Sequence, residues 1–298
     1  MTFGIISGFL SALLMSGSYI FSRAYFRKHG DPLRLAIHSQ FNMLFLGLIL
    51  LTGSLFFIEI PWSRKFFIYL AGEAFFFLFA QISWFMMLRH VEASRAASLI
   101  GLKVLAIAVL TFVMGTSPTG IQWLAILLCT FAAVGMNFSG GKISLQSILW
   151  LTASVFGYAV CDICITGMMN QMPGKSMLLN AICVMGFTYT AIGLSILPGM
   201  LKYPPDRKAL KSALPYSGFY FGSILFLMVC FGSIGVIFGS IIQSSRGVIS
   251  VLLGIILVRS GLEKTEPDVS KRVWIRKLVM SILMLAAMSL YALSNVLK

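Results

Sequence analysis

The chain has 298 residues, 58% of them hydrophobic and only 11% charged, with a mean hydropathy of +0.93. No water-soluble domain of this size carries such a surface, and the apolar runs are long and do not alternate in polarity, so a transmembrane barrel is excluded and an all-α integral membrane protein is expected. The net charge of +14 does not speak for nucleic acid, because the basic residues sit in short connections between apolar runs, where they set membrane topology.

Ten spans are predicted. The first, residues 2–21, carries Gly4 and Gly8 as a GxxxG pair that lets another backbone approach closely, and it lacks the basic lead-in of a cleavable signal. A basic turn follows, in which Asp31-Pro32 reads as a helix start. The second span, 35–58, opens on His38, Gln40 and Asn42. The third, 66–88, is rich in aromatic residues and contains Glu73 and Gln81. The fourth, 92–115, holds Lys103 in the middle of its apolar run, and a tight uncharged turn leads to the fifth, 121–138. Beyond it the plan repeats, with spans at 145–168 (containing Asp162), 177–198, 213–231 (aromatic again, with Tyr216 and Tyr220), 234–258 and 274–296. The ninth is crowded with glycine and serine and carries Arg246. Four of the five tryptophans, Trp62, Trp123, Trp150 and Trp274, fall near span starts, as interfacial belts require. All nine prolines fall in turns or near span ends, so any break inside a span is expected at glycine or serine.

Lys103 is the residue least expected from composition. A charge at mid-bilayer costs about 2.5–3.5 kcal/mol on insertion scales, so it faces a polar cavity or a partner inside the protein. With an offset of 143 residues, the run AASLIGLKVLAIAVL falls on GSIIQSSRGVISVLL, and Lys103 lands on Arg246. Two five-span halves, residues 1–140 and 141–298, insert in opposite directions because five is odd. The expectation is therefore an inverted repeat with both cations facing one cavity at the repeat interface.

The five cysteines all fall inside spans, and the Cys161–Cys164 pair lacks the second ligand set that a redox or zinc reading needs, so they read as small apolar side chains. His38 and His90, near span ends, read as interfacial.

The stretches SGSYIFSRAYFRKHGDPLRL and MLRHVEASRAASLIGLKVLAIAVL in the first half and SSRGVISVLLGIIL in the second carry a family likeness. With ten spans in two halves, the chain resembles the drug/metabolite transporter superfamily, EamA type, over essentially its whole length. It departs from the pattern at Lys103, where proline is common, and at Gly115-Thr116, where the family commonly ends span 4 with Gly-Glu. The resemblance implies movement of a small metabolite. The plastid phosphate translocators of the same superfamily are similar in using basic residues on spans 4 and 9 to hold a phosphorylated or carboxylated substrate, and Lys103 and Arg246 lie on those spans. The resemblance also implies cytoplasmic termini. The charge count opposes this: 17 of the 23 Lys and Arg residues follow odd-numbered spans and 4 lie on the other side, which places both termini outside.

The expected substrate-binding residues are Lys103, Arg246, Glu73 and Asp162 as charged groups and Gln81, Gln243 and Ser244 as hydrogen-bonding ones. Arginine offers a planar fork for a carboxylate or phosphate and lysine a point charge. The competing reading has the four charges neutralising one another in buried pairs. Glu73 could serve as a proton carrier or as a static partner of Lys103. Together these residues predict a multi-pass secondary transporter of the cytoplasmic (inner) membrane moving a small organic solute, anionic or an amino acid. Its partners are the bilayer and a coupling proton or counter-substrate. No cofactor, metal or catalytic residue is expected, and no phosphate-binding GxxxxGK[ST] run is present. The alternative is a membrane enzyme acting on a phosphorylated or lipid-linked substrate.

Overall fold

A computed structural model describes residues 1–88, 99–135, 144–174, 176–249, 252–253 and 271–296. Among them are ten α-helices and no strand. The parts of the predicted fourth, fifth and ninth spans at 92–98, 136–138, 250–251 and 254–258 lie outside the described residues, as does His90.

Local chemistry sets the helix ends. Helix α1 (Thr2–His29) runs further than the apolar stretch, because its basic last turn, Arg27, Lys28 and His29, suits the negative end of the helix dipole. Gly30, at φ 78°, stops it and donates its N–H to the Phe26 carbonyl. Asp31 then caps α2 (Pro32–Ser54), accepting from the Leu33 N–H at 3.0 Å, with proline at the first helical position as the sequence predicts. Helix α3 spans Arg64–Leu88.

Leu99 is helical and is followed by a 3-10 turn, Ile100–Leu102, so that Lys103 is the first residue of α4 (Lys103–Val113) rather than the middle of a continuous helix. Helix α5 is Gly120–Gly135, and α6 (Leu145–Met169) and α7 (Met177–Ile196) are capped by Ser144 and Ser176. Helix α8 (Arg207–Ile234) starts earlier than predicted because Asp206 caps it. That extension places Pro215 inside the helix, which corrects the expectation that every proline lies in a turn or near an end; its ring removes one intrahelical bond. Gly235, at φ 80°, separates α8 from α9 (Val236–Ser244) without an intervening loop. A turn at Ser245 then interrupts α9, and Arg246 opens the next helical stretch, 246–249. Both breaks fall at glycine or serine, as the sequence predicts. Helix α10 is Lys271–Val296.

Six helices, α1, α2, α3, α6, α7 with its 3-10 extension, and α8, are long and apolar enough to cross a membrane, and four shorter apolar stretches accompany them. The most extensive packing joins α1 to α8, α3 to α6, α2 to α7 and α5 to α10. Lipid-like packing offers little hydrophobic drive between helices, so close approach at small residues decides these pairs. A Cβ on Gly4 would meet the Ser233 side chain at 2.7 Å, and one on Gly186 would meet the Leu51 backbone nitrogen at 2.6 Å. At one end of the bundle polar contacts cross between the halves: the Tyr203 hydroxyl donates to Asp31 at 2.5 Å, Arg34 pairs with Asp206 at 3.7 Å, and Asn42 donates to the Leu210 carbonyl at 3.1 Å. At the other end Ser63 donates to Gln171 at 3.3 Å.

Candidate functional site: a central cavity lined by acidic and basic side chains

Three helices present one face each to a narrow cavity of about 40 Å³, room for water but for no organic solute unless the walls move. Glu73, Phe77, Gln81 and Trp84 of α3 recur at spacings of four and three, which puts them on one side of the helix. Tyr158, Cys161, Asp162 and Ile165 do the same on α6, and Tyr216, Tyr220, Ile224 and Leu227 on α8. Tyr19, Lys103, Tyr189, Gln243 and Arg246 join them from α1, α4, α7 and the two segments around Ser245.

Of the seven residues expected from the sequence, six meet at this cavity: Glu73, Gln81, Lys103, Asp162, Gln243 and Arg246. Ser244 does not line it; its hydroxyl donates back to the Ser240 carbonyl at 2.9 Å. Lys103, at the positive end of α4 and only 5% exposed, needs a counter-charge and has one: its Nζ lies 2.6 Å from Asp162 Oδ2 and donates to Gln243 Oε1 at 2.7 Å. The Ser240 hydroxyl completes the Asp162 carboxylate at 3.5 Å. The partner of Lys103 is therefore Asp162 and not Glu73. Half of the mutual-neutralisation reading holds, for this pair.

Arg246 and Glu73 stand apart from it. Arg246 is 5% exposed, makes no ion pair among the described residues, and leaves its Nε without a hydrogen-bond partner. Glu73 is 1% exposed; its Oε1 accepts from the Cys161 thiol at 3.7 Å, and the Thr188 hydroxyl lies beside the same carboxyl group. Cys161 thus faces the cavity and a carboxylate, which corrects its reading as an inert apolar filler, while all five cysteines are free and buried. Gln81 is fixed on both sides: it accepts from the Tyr158 hydroxyl at 2.7 Å and points its Nε2 at the Tyr216 hydroxyl at 3.5 Å, and Tyr216 stacks on Tyr220 with centroids 5.6 Å apart.

Sequence reasoning missed Tyr19, Tyr158 and Tyr189. The signal for one of them was present: Tyr158 precedes Asp162 by four residues, so the two share a helix face.

Residues 2–138 match the EamA-like transporter family. No curated protein matches the chain. A solved crystal structure of another protein covers 97% of this chain and 96% of its own with a TM-score of 0.67, and at 15% identity that likeness speaks for the fold alone. The multi-pass apolar helices and the family match agree: the first half of the chain is similar to the EamA-like transporters of the drug/metabolite transporter superfamily, and the described helices are those of a multi-pass membrane protein.

Proposed function

We propose that the protein is a secondary active transporter of the cytoplasmic membrane, moving a small organic solute that carries an anionic group by alternating access between two inverted five-helix halves, residues 1–140 and 141–298. The observation that carries this reading is Arg246, a buried guanidinium at a narrow central cavity with no counter-ion of its own among the described residues. Arginine always remains charged, and an uncompensated buried charge is expensive, so an anion from outside is its natural complement. Lys103, paired with Asp162, holds α4 against α6 and supports the wall.

The packing favours two related halves. Exchanging α1 with α6, α2 with α7, α3 with α8, α4 with α9 and α5 with α10 turns the α1–α8 contact into α6–α3 and returns α2–α7, α4–α9 and α5–α10 to themselves. Transporters built on such repeats bind at the interface between them, where this cavity sits. Its small volume corresponds to a closed form, and a solute enters when one end opens.

Thermal shift of the purified chain against metabolite carboxylates, phosphate esters and amino acids tests the reading. At least one stabilises the native protein, and Arg246→Met abolishes that shift while the Lys103→Met/Asp162→Asn double variant keeps it. An Arg246→Met protein that binds as well as the parent overturns the proposal. Uptake into proteoliposomes then separates the alternatives: a transporter delivers the labelled compound unchanged, whereas a membrane enzyme returns a different species.

A further inference from the structure

The basic residues gathered at one end of the bundle are only partly accounted for by contacts inside the protein. The turn between α1 and α2 and the turn ahead of α8, with the helix ends beside them, carry eight Lys and Arg residues against Asp31 and Asp206. Both carboxylates are already engaged. Asp31 caps α2 and accepts from the Tyr203 hydroxyl, and Asp206 caps α8 and pairs with Arg34 at 3.7 Å. Arg207 and Lys211 of α8 are exposed and make no ion pair among the described residues.

These two side chains border an open groove of about 480 Å³ between α2 and α8, against about 40 Å³ for the central cavity. Arg207, Leu210, Lys211 and Leu214 recur at spacings of three, one and three, so they form one stripe along α8. Asn42 of α2 and Pro205 of the preceding turn supply the rest of the lining. Charge lies toward the turn and apolar area toward the membrane interior: Lys211 stands two residues ahead of the apolar stretch that begins at residue 213, and Leu214, 52% exposed, lies within it. That is the depth at which the phosphate of a bilayer lipid gives way to its acyl chains. A soluble anion would leave the two leucines unused. A zwitterionic head group would bring its own ammonium to an end with a large excess of positive charge, whereas an anionic one adds only negative charge.

We propose that this groove seats one anionic phospholipid, its phosphate held by Arg207 and Lys211 and the first carbons of an acyl chain laid against Leu210 and Leu214. Arginine offers a planar fork to two phosphate oxygens and lysine a point charge to a third. The seat straddles the two halves of the chain: Asn42 of the first donates to the Leu210 carbonyl at 3.1 Å and to the Ser217 hydroxyl at 3.5 Å in the second. A lipid in the groove therefore braces the contact of α2 with α8 beside the Tyr203–Asp31 and Arg34–Asp206 contacts. The groove shares no lining residue with the central cavity.

The purified full chain in a non-ionic detergent tests this, with dioleoyl phosphatidylglycerol, dioleoyl phosphatidylcholine and inorganic phosphate as probes, read by native mass spectrometry for retained lipid and by melting temperature. Phosphatidylglycerol is retained and raises the melting temperature, whereas phosphatidylcholine with the same chains, and phosphate at equal concentration, do neither. Each basic side chain beside anionic lipid is worth roughly fivefold in affinity, so Arg207→Gln/Lys211→Gln weakens phosphatidylglycerol binding on the order of 25-fold. Lys202→Gln/Lys208→Gln removes the same charge at the same end but outside the groove, and keeps binding to within about threefold of the parent. Leu214→Ala, which leaves every charge in place, weakens binding as well. All five positions are exposed, and unliganded melting temperatures separate lost binding from lost folding. If phosphatidylcholine or free phosphate stabilises as well as phosphatidylglycerol, or if no phosphatidylglycerol is retained, the proposal is overturned. It is equally overturned if the groove pair binds like the parent, or if the control pair loses as much as the groove pair, which would assign the effect to the diffuse charge of this end. None of these outcomes bears on Arg246, whose anion site stands or falls by its own test.

Discussion

Neutralising Asp162 isolates the energetics of the buried pair. At 2.6 Å the Lys103–Asp162 attraction is about 6 kcal/mol for an effective dielectric of 20, set against the desolvation of both ions. Asp162→Asn keeps the shape but leaves Lys103 charged in a cavity whose other unpaired cation is Arg246, so the loss is expected near 3–5 kcal/mol. Lys103→Met leaves the Asp162 carboxylate with the Ser240 hydroxyl and with Arg246 as a replacement counter-charge, and is expected to cost less. The double variant removes both ions and returns to within about 1–2 kcal/mol of the parent. Tryptophan fluorescence during heating in detergent reads these as apparent melting temperatures, with Asp162→Asn lower by roughly 10 °C. If Asp162→Asn melts no lower than Lys103→Met, or if the double variant is no more stable than Asp162→Asn alone, the pair does not hold the cavity together and the assignment of roles between the two cations is wrong.

Three further outcomes are expected. Gly186→Ala places a methyl against the Leu51 backbone at 2.6 Å and destabilises by roughly 1–3 kcal/mol, whereas Gly218→Ala on α8, with nothing within 4 Å of the added carbon, changes stability by less than about 0.5 kcal/mol; chemical unfolding in mixed micelles compares them. Tyr158→Phe removes the donor to Gln81 Oε1 and leaves a buried acceptor unsatisfied, at about 1–3 kcal/mol, and Tyr158→Phe/Gln81→Leu recovers part of it in the same melts. The Asp206 carboxyl, outside the spans, is held below the usual carboxylate range chiefly by the Lys208 backbone N–H it accepts. Its contribution is therefore full above the ordinary carboxylate value near pH ~3.9 and fades as pH falls through the lowered folded value. Asp206→Asn, which still caps the helix, flattens that part of the melting-temperature profile against pH, and an unchanged profile would count against the cap.

Much of the bundle could be read from the chain because lipid imposes long apolar runs, and their number follows from counting them. What escaped was decided by capping rather than by apolarity. Asp206 starts α8 well before the hydrophobic stretch, which carries Pro215 into the helix, and the basic end of α1 stays helical as far as Gly30. The candidate charges were found because ions in apolar runs stand out, but their pairing was not legible. Asp162 and Lys103 lie on different helices, and only the packing of α4 against α6 reveals that Asp162, not Glu73, is the partner. The tyrosines of the wall were hidden for a different reason: in a membrane protein an aromatic residue on a helix is as ordinary facing lipid as facing a cavity, and side-chain type alone does not say which.

The two interruptions in α4 and α9 have a mechanical meaning. The Lys103 N–H bonds back to Ile100 and the Ser245 N–H to Ile242, three residues away instead of four, so each helix is wound tighter just ahead of its cation. A rod with such a joint bends there more readily than along a regular helix, and around Ser245 the helical residues 236–244 and 246–249 stand on either side of it. Because each joint adjoins a basic side chain at the cavity, a change of angle at either one would re-aim that side chain.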